Sequence, residues 1–191
     1  IVILYAGAHG ISNDLPVVLE AASRLKDEPK VKFVLVGDGK EKPLLVQLAK
    51  EMALTNILFL PPVPKTEMAE VIAGADACLA ILKPLELYKT TYPNKVFDYM
   101  AAGKPVLLAI DGVIRQVVET ANAGIFVEPG NSRALADAAL WVKQNPQQMA
   151  RMGENGKCYV TEHFNRNILA EKFEMILKEL VNPKNNPAGG E

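Results

Sequence analysis

The sequence predicts an α/β protein built on a doubly wound, parallel, six-stranded sheet of Rossmann type, with extra helices at its C-terminal end. Short apolar runs rich in β-branched residues alternate with amphipathic segments of about 10 to 15 residues, which is the pattern of β-α-β units. Glycine or proline marks the ends of several runs. With 191 residues, of which 49% are hydrophobic, the chain can bury the core of one compact domain.

Six apolar runs are predicted to form the strands. Each is short, rich in β-branched or aliphatic residues, and bounded by polar residues, glycine or proline, as expected for strands buried on both faces. The first run ends at Gly7 and the second at the tight turn Gly37-Asp38-Gly39. The predicted strands are residues 1–6, 31–36, 57–60, 75–81, 106–109 and 125–127.

Helices are predicted wherever apolar residues recur every three or four positions between these strands. In the first helix such a stripe runs from Leu15 to Leu25, and Ser12 or Asn13 is the expected cap. The prolines between residues 61 and 64 exclude regular structure before the third helix. The predicted helices cover residues 12–26 including the cap, 41–53, 66–73, 93–102, 113–121 and 132–143.

The C-terminal part of the chain has a different pattern. Residues 146–181 carry two helical patterns with no strand between them, and the second has more apolar residues on one face than a single sheet needs. We therefore divide the chain into a Rossmann-like domain (1–163), a final helix expected to contact another domain (164–181) and a flexible tail (182–191). Because the chain opens with Ile inside a predicted strand, we expect it to belong to a longer protein.

The composition argues against several functional classes. Acidic and basic residues nearly cancel, to a net charge of -1, and no run of like charges forms a track for a polyanion, so nucleic acid is not an expected partner. Cys78 and Cys158 are far apart, as are the two histidines, so we expect no metal site, no disulfide framework and a reduced, cytoplasmic setting. The sequence contains no GxSxG, HExxH or Walker motif.

The segment 90–103, TTYPNKVFDYMAAG, carries the strongest functional signal. Thr91, Asn94 and Asp98 are spaced i, i+3 and i+7, so they share one face of a helix or of its entry turn. A carboxylate there can accept hydrogen bonds from both ribose hydroxyls, and N–H groups at the helix start can bind a phosphate. Alternatively, Asn94 and Asp98 are only early-helix residues favoured by the helix dipole, an effect of about 0.3 to 1 kcal/mol.

The preceding loop, 83–92, lacks an apolar period, so we expect it to contact something other than the core.

Two glycine-containing turns follow the first two predicted strands, where a doubly wound sheet binds phosphates. Gly7 and Gly10 flank His9, whose ring can donate to a phosphate or a sugar hydroxyl, and Gly37 opens the second turn. Neither turn matches the GxGxxG fingerprint, and both have an ordinary alternative interpretation as tight connections.

Five sequence strings carry a family resemblance when they are taken together. They are VGDG after the second predicted strand, FLPPVPKTEM after the third, ADACLAIL, YPNKVFDYMAAGKPVL and AGIFVEPGNSRALADA. They resemble the C-terminal half of a GT-B glycosyltransferase, and more narrowly the large retaining family called group 1 or family 4. The resemblance runs from about Ile3 to Leu180. In that family two Rossmann-like domains face each other across a cleft, with the nucleotide sugar held by the C-terminal domain and the acceptor by the N-terminal one.

The resemblance implies roles for individual residues. Asp98 takes the place of the family's ribose-binding acid, and the backbone around Val63 reads the base. The donor would be a nucleotide diphosphate sugar of the UDP or GDP type, with no cofactor or metal required. The final helix would cross back to the missing N-terminal acceptor domain. The turn that would contact the diphosphate and the sugar comprises Thr91, Pro93, Asn94 and Lys95.

The sequence departs from the family pattern at the positions that handle the phosphates. Thr90 stands where the first acid of the family's Glu-x7-Glu motif is expected, and Ala8 and Asn13 stand where many members have an Arg and a Lys. Because a diphosphate leaving group develops negative charge, it needs cationic or N–H donors. The remaining candidates for this role are His9, Lys89 and Lys95.

The leading interpretation is the donor-binding domain of a retaining glycosyltransferase that moves a hexosyl or related unit to a glycan or lipid-linked acceptor, as in polysaccharide biosynthesis. On its own, this half should bind nucleotide weakly and transfer nothing. It would act in the cytoplasm, and any peripheral membrane association at the inner face would be made through the N-terminal domain. The alternative is a non-catalytic sugar-nucleotide-binding module. A GT-B sugar-nucleotide epimerase is a third interpretation, although the acids and histidines that it needs are not found.

Overall fold

The computed structural model describes residues 1–181, so the tail predicted for residues 182–191 lies outside the described range. Within residues 1–181 there are six strands and eight α-helices in an α/β fold. Strands and helices alternate as far as α6, and each predicted strand is confirmed to within about two residues. The strands are β1 (Val2–Ala6), β2 (Lys32–Val36), β3 (Ile57–Leu60), β4 (Ala77–Ile81), β5 (Val106–Ala109) and β6 (Gly124–Phe126). The helices are α1 (Leu15–Arg24), α2 (Lys42–Glu51), α3 (Met68–Ala73), α4 (Asn94–Ala101), α5 (Val113–Thr120), α6 (Ser132–Gln144), α7 (Pro146–His163) and α8 (Arg166–Val181).

All strands of the sheet run parallel, in the order β3-β2-β1-β4-β5-β6. The strand order reverses between β1 and β4, which is the switch point where doubly wound sheets bind ligands. β1 pairs with β2 along its whole length, as far as Ala6 with Val36. It pairs with β4 only at Ile3 and Leu4. The carboxyl ends of β1 and β4 therefore separate and leave a crevice at this edge.

Helices cover both faces of the sheet and bury the strands β1, β4 and β5 on both sides, whereas the edge strand β3 leaves Leu58 51% exposed. Alternate residues of β1 point to opposite faces: Ile3 and Tyr5 belong to the core beneath α1, α2 and α6, whereas Leu4 and Ala6 belong to the core beneath α3, α4 and α5. Strands buried in this way have no polar face, which explains why the sequence shows continuous apolar runs.

The cap predicted for the first helix, Ser12 or Asn13, is wrong. Both residues lie in a short 3₁₀ helix, and α1 begins after Asp14, which has a φ of +45° and makes no capping hydrogen bond. Ser12 instead joins two loops. Its carbonyl oxygen accepts from the Lys83 N–H at 3.0 Å, and its Oγ accepts from the Tyr88 hydroxyl at 2.8 Å.

The two predicted C-terminal helices are confirmed as α7 and α8. α7 packs along α4, whereas α8 exposes apolar side chains: Phe173 is 63% exposed and Leu180 is 72% exposed. In the described part of the chain, none of the helices combines the length and the apolar character that crossing a bilayer requires.

The loops that follow β1 and β2 pack directly on each other. Gly37 has a φ of +144°, and a Cβ atom there would lie 1.9 Å from the carbonyl oxygen of Gly7. The His9 N–H donates to the carbonyl oxygen of Asp38 at 2.8 Å, and the Glu41 N–H donates to that of His9 at 3.0 Å. Since the backbones are in contact at residue 37, only glycine fits there, and the two loops form one rigid unit.

Replacing Gly37 tests this close approach. We expect Gly37→Ala to lower the free energy of unfolding by about 1–3 kcal/mol or more, because the new methyl group meets backbone and the φ angle disfavours a side chain. Gly10→Ala is the matched control in the same unit, since Gly10 has a φ of -110° and its nearest neighbour to an added Cβ lies at 3.6 Å. That variant should be unchanged or more stable by up to about 1 kcal/mol. Urea unfolding measures both, and equal effects would contradict the close packing.

Candidate functional site

Four residues predicted from the sequence line one cavity at the carboxyl edge of the sheet. Gly7 after β1, Val63 after β3, and Lys95 and Asp98 of α4 surround a volume of about 270 Å³. A second volume of about 330 Å³ continues between α3 and α4 and shares four lining residues with the first, among them Asp98 and Met68. We call the two together the Asp98 groove. The Asp98 side chain is exposed where they meet.

The sequence of α4 determines which side chains face the groove. Val96, Tyr99 and Met100, spaced three and four residues apart, are buried against the sheet. Asp98 lies on the remaining, exposed side. No side chain caps the start of α4, and the N–H groups of a first helical turn have no intrahelical partner. The start of the helix therefore offers free donors beside a carboxylate, a combination suited to a phosphate next to a hydroxylated ring.

Tyr99 attaches α4 to the end of β1. Its hydroxyl accepts from the Ala6 N–H at 3.0 Å and donates to the Ala6 carbonyl oxygen at 3.3 Å. Burial raises the pKa of Tyr99, so the phenol stays protonated and can donate. Sequence reasoning missed this residue. The spacing from Val96 shows that Tyr99 faces the sheet, but no local signal shows which backbone groups its hydroxyl meets.

Lys95 lies inside the groove, on an aromatic ring. Its Nζ is 4.1 Å from the centroid of the Tyr5 ring, and the Tyr5 hydroxyl donates to the Ala8 carbonyl oxygen at 2.6 Å, which fixes the ring. A Cβ atom at Gly7 would lie 2.6 Å from that Nζ, so glycine leaves room for the lysine. Burial lowers the pKa of Lys95 to about 8. An anion bound beside it would favour the charged ammonium form.

His9 lies in the loop after β1 and does not line the groove. Its side chain is fully buried, with ring centroids 6.0 Å from Tyr5 and 6.1 Å from Phe59. Neither ring nitrogen has a hydrogen-bond partner among residues 1–181. Burial lowers the pKa of His9, and the charge of nearby Lys42 adds to the effect. A neutral imidazole is therefore expected at physiological pH. Gly10 and Gly37 belong to the supporting loops and do not line the groove.

The structure separates Lys89, Thr90 and Thr91 from the groove. The Lys89 Nζ lies 2.7 Å from Glu86 Oε1, a hydrogen-bonded ion pair that raises the pKa of the lysine, and Lys89 lines a different cavity. Thr90 closes a 3₁₀ turn, with its Oγ1 donating to the Leu87 carbonyl oxygen at 3.1 Å. Thr91 follows that turn. Of the predicted basic candidates, Lys95 alone lines the groove that contains Asp98.

Further residues of the groove were not singled out from the sequence. Lys65 and Met68 line both of its parts. Both lie in the FLPPVPKTEM string, which was recognised as part of the family resemblance. Because its prolines interrupt regular structure, the string has no periodicity from which the direction of these side chains could be predicted. Within residues 1–181 there is no cluster of three or more His, Cys, Asp or Glu side chains able to hold a metal ion.

Asp98 and Lys95 lie beside glycine-containing loops at the switch point of a doubly wound sheet, which is where α/β domains of this kind bind their ligands. The sequence matches the family described as glycosyl transferases group 1 over residues 1–158. The chain therefore belongs to this family, and its fold is that of the C-terminal half of a GT-B glycosyltransferase.

Individual relatives agree with the family assignment. The N-acetyl-alpha-D-glucosaminyl L-malate synthase of Bacillus anthracis is 26% identical over 170 residues, which cover 88% of this chain and 43% of the relative. Among solved structures, Anabaena HepE in complex with UDP has a TM-score of 0.82 at 20% identity, covering 93% of this chain and 48% of that one. Sucrose-phosphate synthase from Thermosynechococcus elongatus has a TM-score of 0.83 at 21% identity, with coverages of 96% and 46%. The chain thus spans less than half the length of these relatives.

Removing one hydroxyl tests the attachment of α4. We expect Tyr99→Phe to lower the free energy of unfolding by about 1–3 kcal/mol, because the Ala6 N–H is left without its partner. Amide hydrogen exchange at Ala6 should also become faster. Tyr92→Phe, at a side chain that is 54% exposed, is the control and should change stability little. Equal stability of the two variants, with unchanged exchange at Ala6, would contradict this role of the hydroxyl.

Proposed function

We propose that this chain is the donor-binding domain of a retaining glycosyltransferase that transfers a sugar to a glycan or lipid-linked acceptor. Its donor is a nucleotide diphosphate sugar of the UDP or GDP type, held in the Asp98 groove. The observation that carries the proposal is the convergence of Gly7, Val63, Lys95 and Asp98, which are far apart in sequence, on one cavity at the switch point. The solved complexes of HepE with UDP and with UDP-glucose support this class of ligand.

The groove offers a distinct partner for each part of the nucleotide. The exposed Asp98 carboxylate accepts hydrogen bonds from the two ribose hydroxyls. The base lies beside Met68, where the backbone at Val63 reads its edge. The diphosphate lies towards the free N–H groups at the start of α4 and the ammonium group of Lys95. The turn that ends at Lys95 then faces the sugar.

Lys95 supplies the positive charge that an Arg and a Lys after the first strand supply in many members of the family. With Ala8 and Asn13 at the positions of that pair, the loop after β1 carries no cation of its own there. The Lys95 ammonium lies next to this loop, close to Gly7. A partly desolvated cation interacts more strongly with a phosphate than an exposed one does, because the local dielectric constant is lower. This arrangement binds the diphosphate without a metal ion.

The remaining parts of the chain connect the donor site to the acceptor. Residues 1–163 form the donor domain, and α8 crosses to an N-terminal acceptor domain, which covers its exposed apolar side chains. Because the acceptor side belongs to that domain, the chain alone binds the donor without transferring it. The whole enzyme acts in the cytoplasm, with any contact to the membrane surface made through the acceptor domain.

Removal of the ribose-binding acid should weaken nucleotide binding. We expect Asp98→Ala to reduce affinity by about 10- to 100-fold, since each charge-assisted hydrogen bond contributes about 1.5–3 kcal/mol. Calorimetry with UDP, GDP and ADP measures the effect and also identifies the preferred base. Glu70→Ala is the control, because Glu70 is an exposed acid on α3 that does not line the groove. Failure of all three nucleotides to bind, or equal binding by Asp98→Ala, would defeat the assignment.

The affinity for the donor should depend on pH through Lys95. Below about pH 7 the lysine is charged and affinity is constant. As the pH rises through the free-state pKa of about 8, the ammonium deprotonates in the free protein, and affinity falls by up to about tenfold per pH unit. Lys95→Arg keeps its charge over this range and should remove the dependence.

UDP-glucose suits this measurement between pH 6.5 and about 8.5, because its diphosphate has no group that titrates there. A profile that is the same in the wild-type protein and in Lys95→Arg would show that Lys95 does not contact the diphosphate.

A second candidate function, a non-catalytic sugar-nucleotide-binding module, is favoured by Thr90 at the position of the family's first motif acid. Thr90 uses its hydroxyl within its own turn, in the bond to Leu87. The test is to restore the upstream half of the protein and assay sugar transfer. Transfer would support the enzyme, whereas nucleotide binding without transfer would support the module.

A further inference from the structure

A separate cavity lies at the carboxyl end of β5 and β6. Its volume is about 400 Å³, larger than either part of the Asp98 groove, and it shares no lining residue with that groove. We call it the β5–β6 cavity. The loop 83–89 forms one wall, and the strand ends with Arg115 of α5 form the other. Glu128 and Pro129, from the VEPGN string that carried part of the family resemblance, also line it.

Direct packing fixes the walls of this cavity. A Cβ atom at Gly112 would lie 2.0 Å from the carbonyl oxygen of Lys89, so the loop rests on the turn between β5 and α5. The same loop is tied to Ser12 by the N–H of Lys83 and by the hydroxyl of Tyr88. The cavity is therefore formed before any ligand arrives, which lowers the entropic cost of binding.

The polar groups of the cavity are also held in place. The Arg115 guanidinium stacks on the Phe126 ring, with Cζ 3.8 Å from the ring centroid. Its Nη1 lies 3.4 Å from Asp111 Oδ1, and its Nε donates to Glu119 Oε1 at 2.7 Å. The Gly112 N–H lowers the pKa of Asp111, which is therefore an ionised acceptor. After β6, Glu128 Oε2 accepts from the Asn131 side chain at 3.1 Å.

The balance of charge indicates the class of ligand. The lining contains equal numbers of cations and carboxylates, so their formal charges cancel. A phosphate group would favour an excess of cations, and a metal ion would favour an excess of carboxylates. A neutral ligand with many hydroxyl groups uses donors and acceptors together. The cations are Lys83, Lys89 and Arg115, and the carboxylates are Glu86, Asp111 and Glu128.

Apolar groups complete the lining. Pro84, Leu85, Phe126 and Pro129 present carbon surface between the charged groups. The ring of a sugar has C–H faces that pack on such surface, while its hydroxyls point outward to polar partners.

We infer that the β5–β6 cavity binds a neutral sugar ring, with Asp111 and Glu128 accepting from its hydroxyls and Arg115 and Lys83 donating to its oxygens. The inference rests on the proposed function in one respect, since it takes the protein to act on sugars, and it does not depend on Asp98. Two sources supply this chemistry: the transferred sugar of the donor, reaching past the loop 83–89, or a sugar unit of the acceptor glycan.

Amide chemical-shift mapping of the 191-residue chain tests the inference. Methyl hexopyranosides should shift amides of residues 110–129, with dissociation constants on the order of 1 to 10 mM. UDP alone should shift amides around Val63 and Asp98. If the ring is the donor sugar, UDP-glucose will shift both regions. If it is an acceptor unit, methyl glycosides will shift residues 110–129 even when UDP-glucose is saturating. Shifts confined to the Asp98 groove, or none with any glycoside, would overturn the inference.

Variants of single acidic side chains test which groups of the β5–β6 cavity bind the glycoside. Glu128→Gln and Asp111→Asn should each weaken glycoside binding by about fivefold or more, because each replaces a charged acceptor of hydroxyl hydrogen bonds with a neutral amide. Glu70→Gln, an exposed acid outside both cavities, is the matched control and should bind as the wild type does. Equal binding by all three variants would contradict the inference.

The same experiment separates this inference from the proposed function. Nucleotide shifts at Asp98 without glycoside shifts at residues 110–129 would overturn the inference alone. Glycoside shifts at residues 110–129 without any nucleotide shift would support the inference and contradict the proposed nucleotide site.

Discussion

The bond between Tyr99 and the backbone of Ala6 is the contact on which the proposed nucleotide site depends. β1 and β4 pair only as far as Leu4, so the polar groups of Ala6 face the opening between two diverging strands. The Tyr99 hydroxyl satisfies both of these groups in a place where water would otherwise have to enter. Because Tyr99 lies on α4, the same bond positions Asp98 beside it and Lys95 one turn earlier. The crevice at the switch point is thus closed at its base and open above.

The carboxyl edge of the sheet carries two electrostatic environments. Around β1 and α4, a desolvated lysine, a free helix start and one exposed acid suit the charged diphosphate and the ribose of a nucleotide. Around β5 and β6, balanced charges and carbon surface suit a neutral ring. The loop after β4 runs between these regions before it enters α4. The proposed nucleotide site and the proposed sugar site therefore lie at different places on this edge, whether the sugar belongs to the donor or to the acceptor.

The elements of the fold could be predicted where the pattern of neighbouring residues in the sequence determines the local structure. The inner strands were predictable because burial on both faces leaves them continuously apolar. The exposure of the Asp98 side chain follows from its position away from the buried side chains of α4. The predictions from the sequence were wrong or missing where contacts between residues far apart in the chain determine the position of a side chain. Ser12 does not cap α1, since it bonds to Tyr88, 76 residues away. The burial of His9 and the position of Lys95 over Tyr5 likewise depend on how separate loops pack. Lys89, the other lysine predicted to contact the phosphates, lines the other cavity.

The most direct test of the nucleotide site is a crystal structure of the chain with UDP-glucose bound. The ribose hydroxyls are expected within hydrogen-bond distance of the Asp98 carboxylate, with the diphosphate at the start of α4 beside the Lys95 ammonium and the base at Val63. A nucleotide bound elsewhere, or bound in the groove with its ribose turned away from Asp98, would contradict the proposed site.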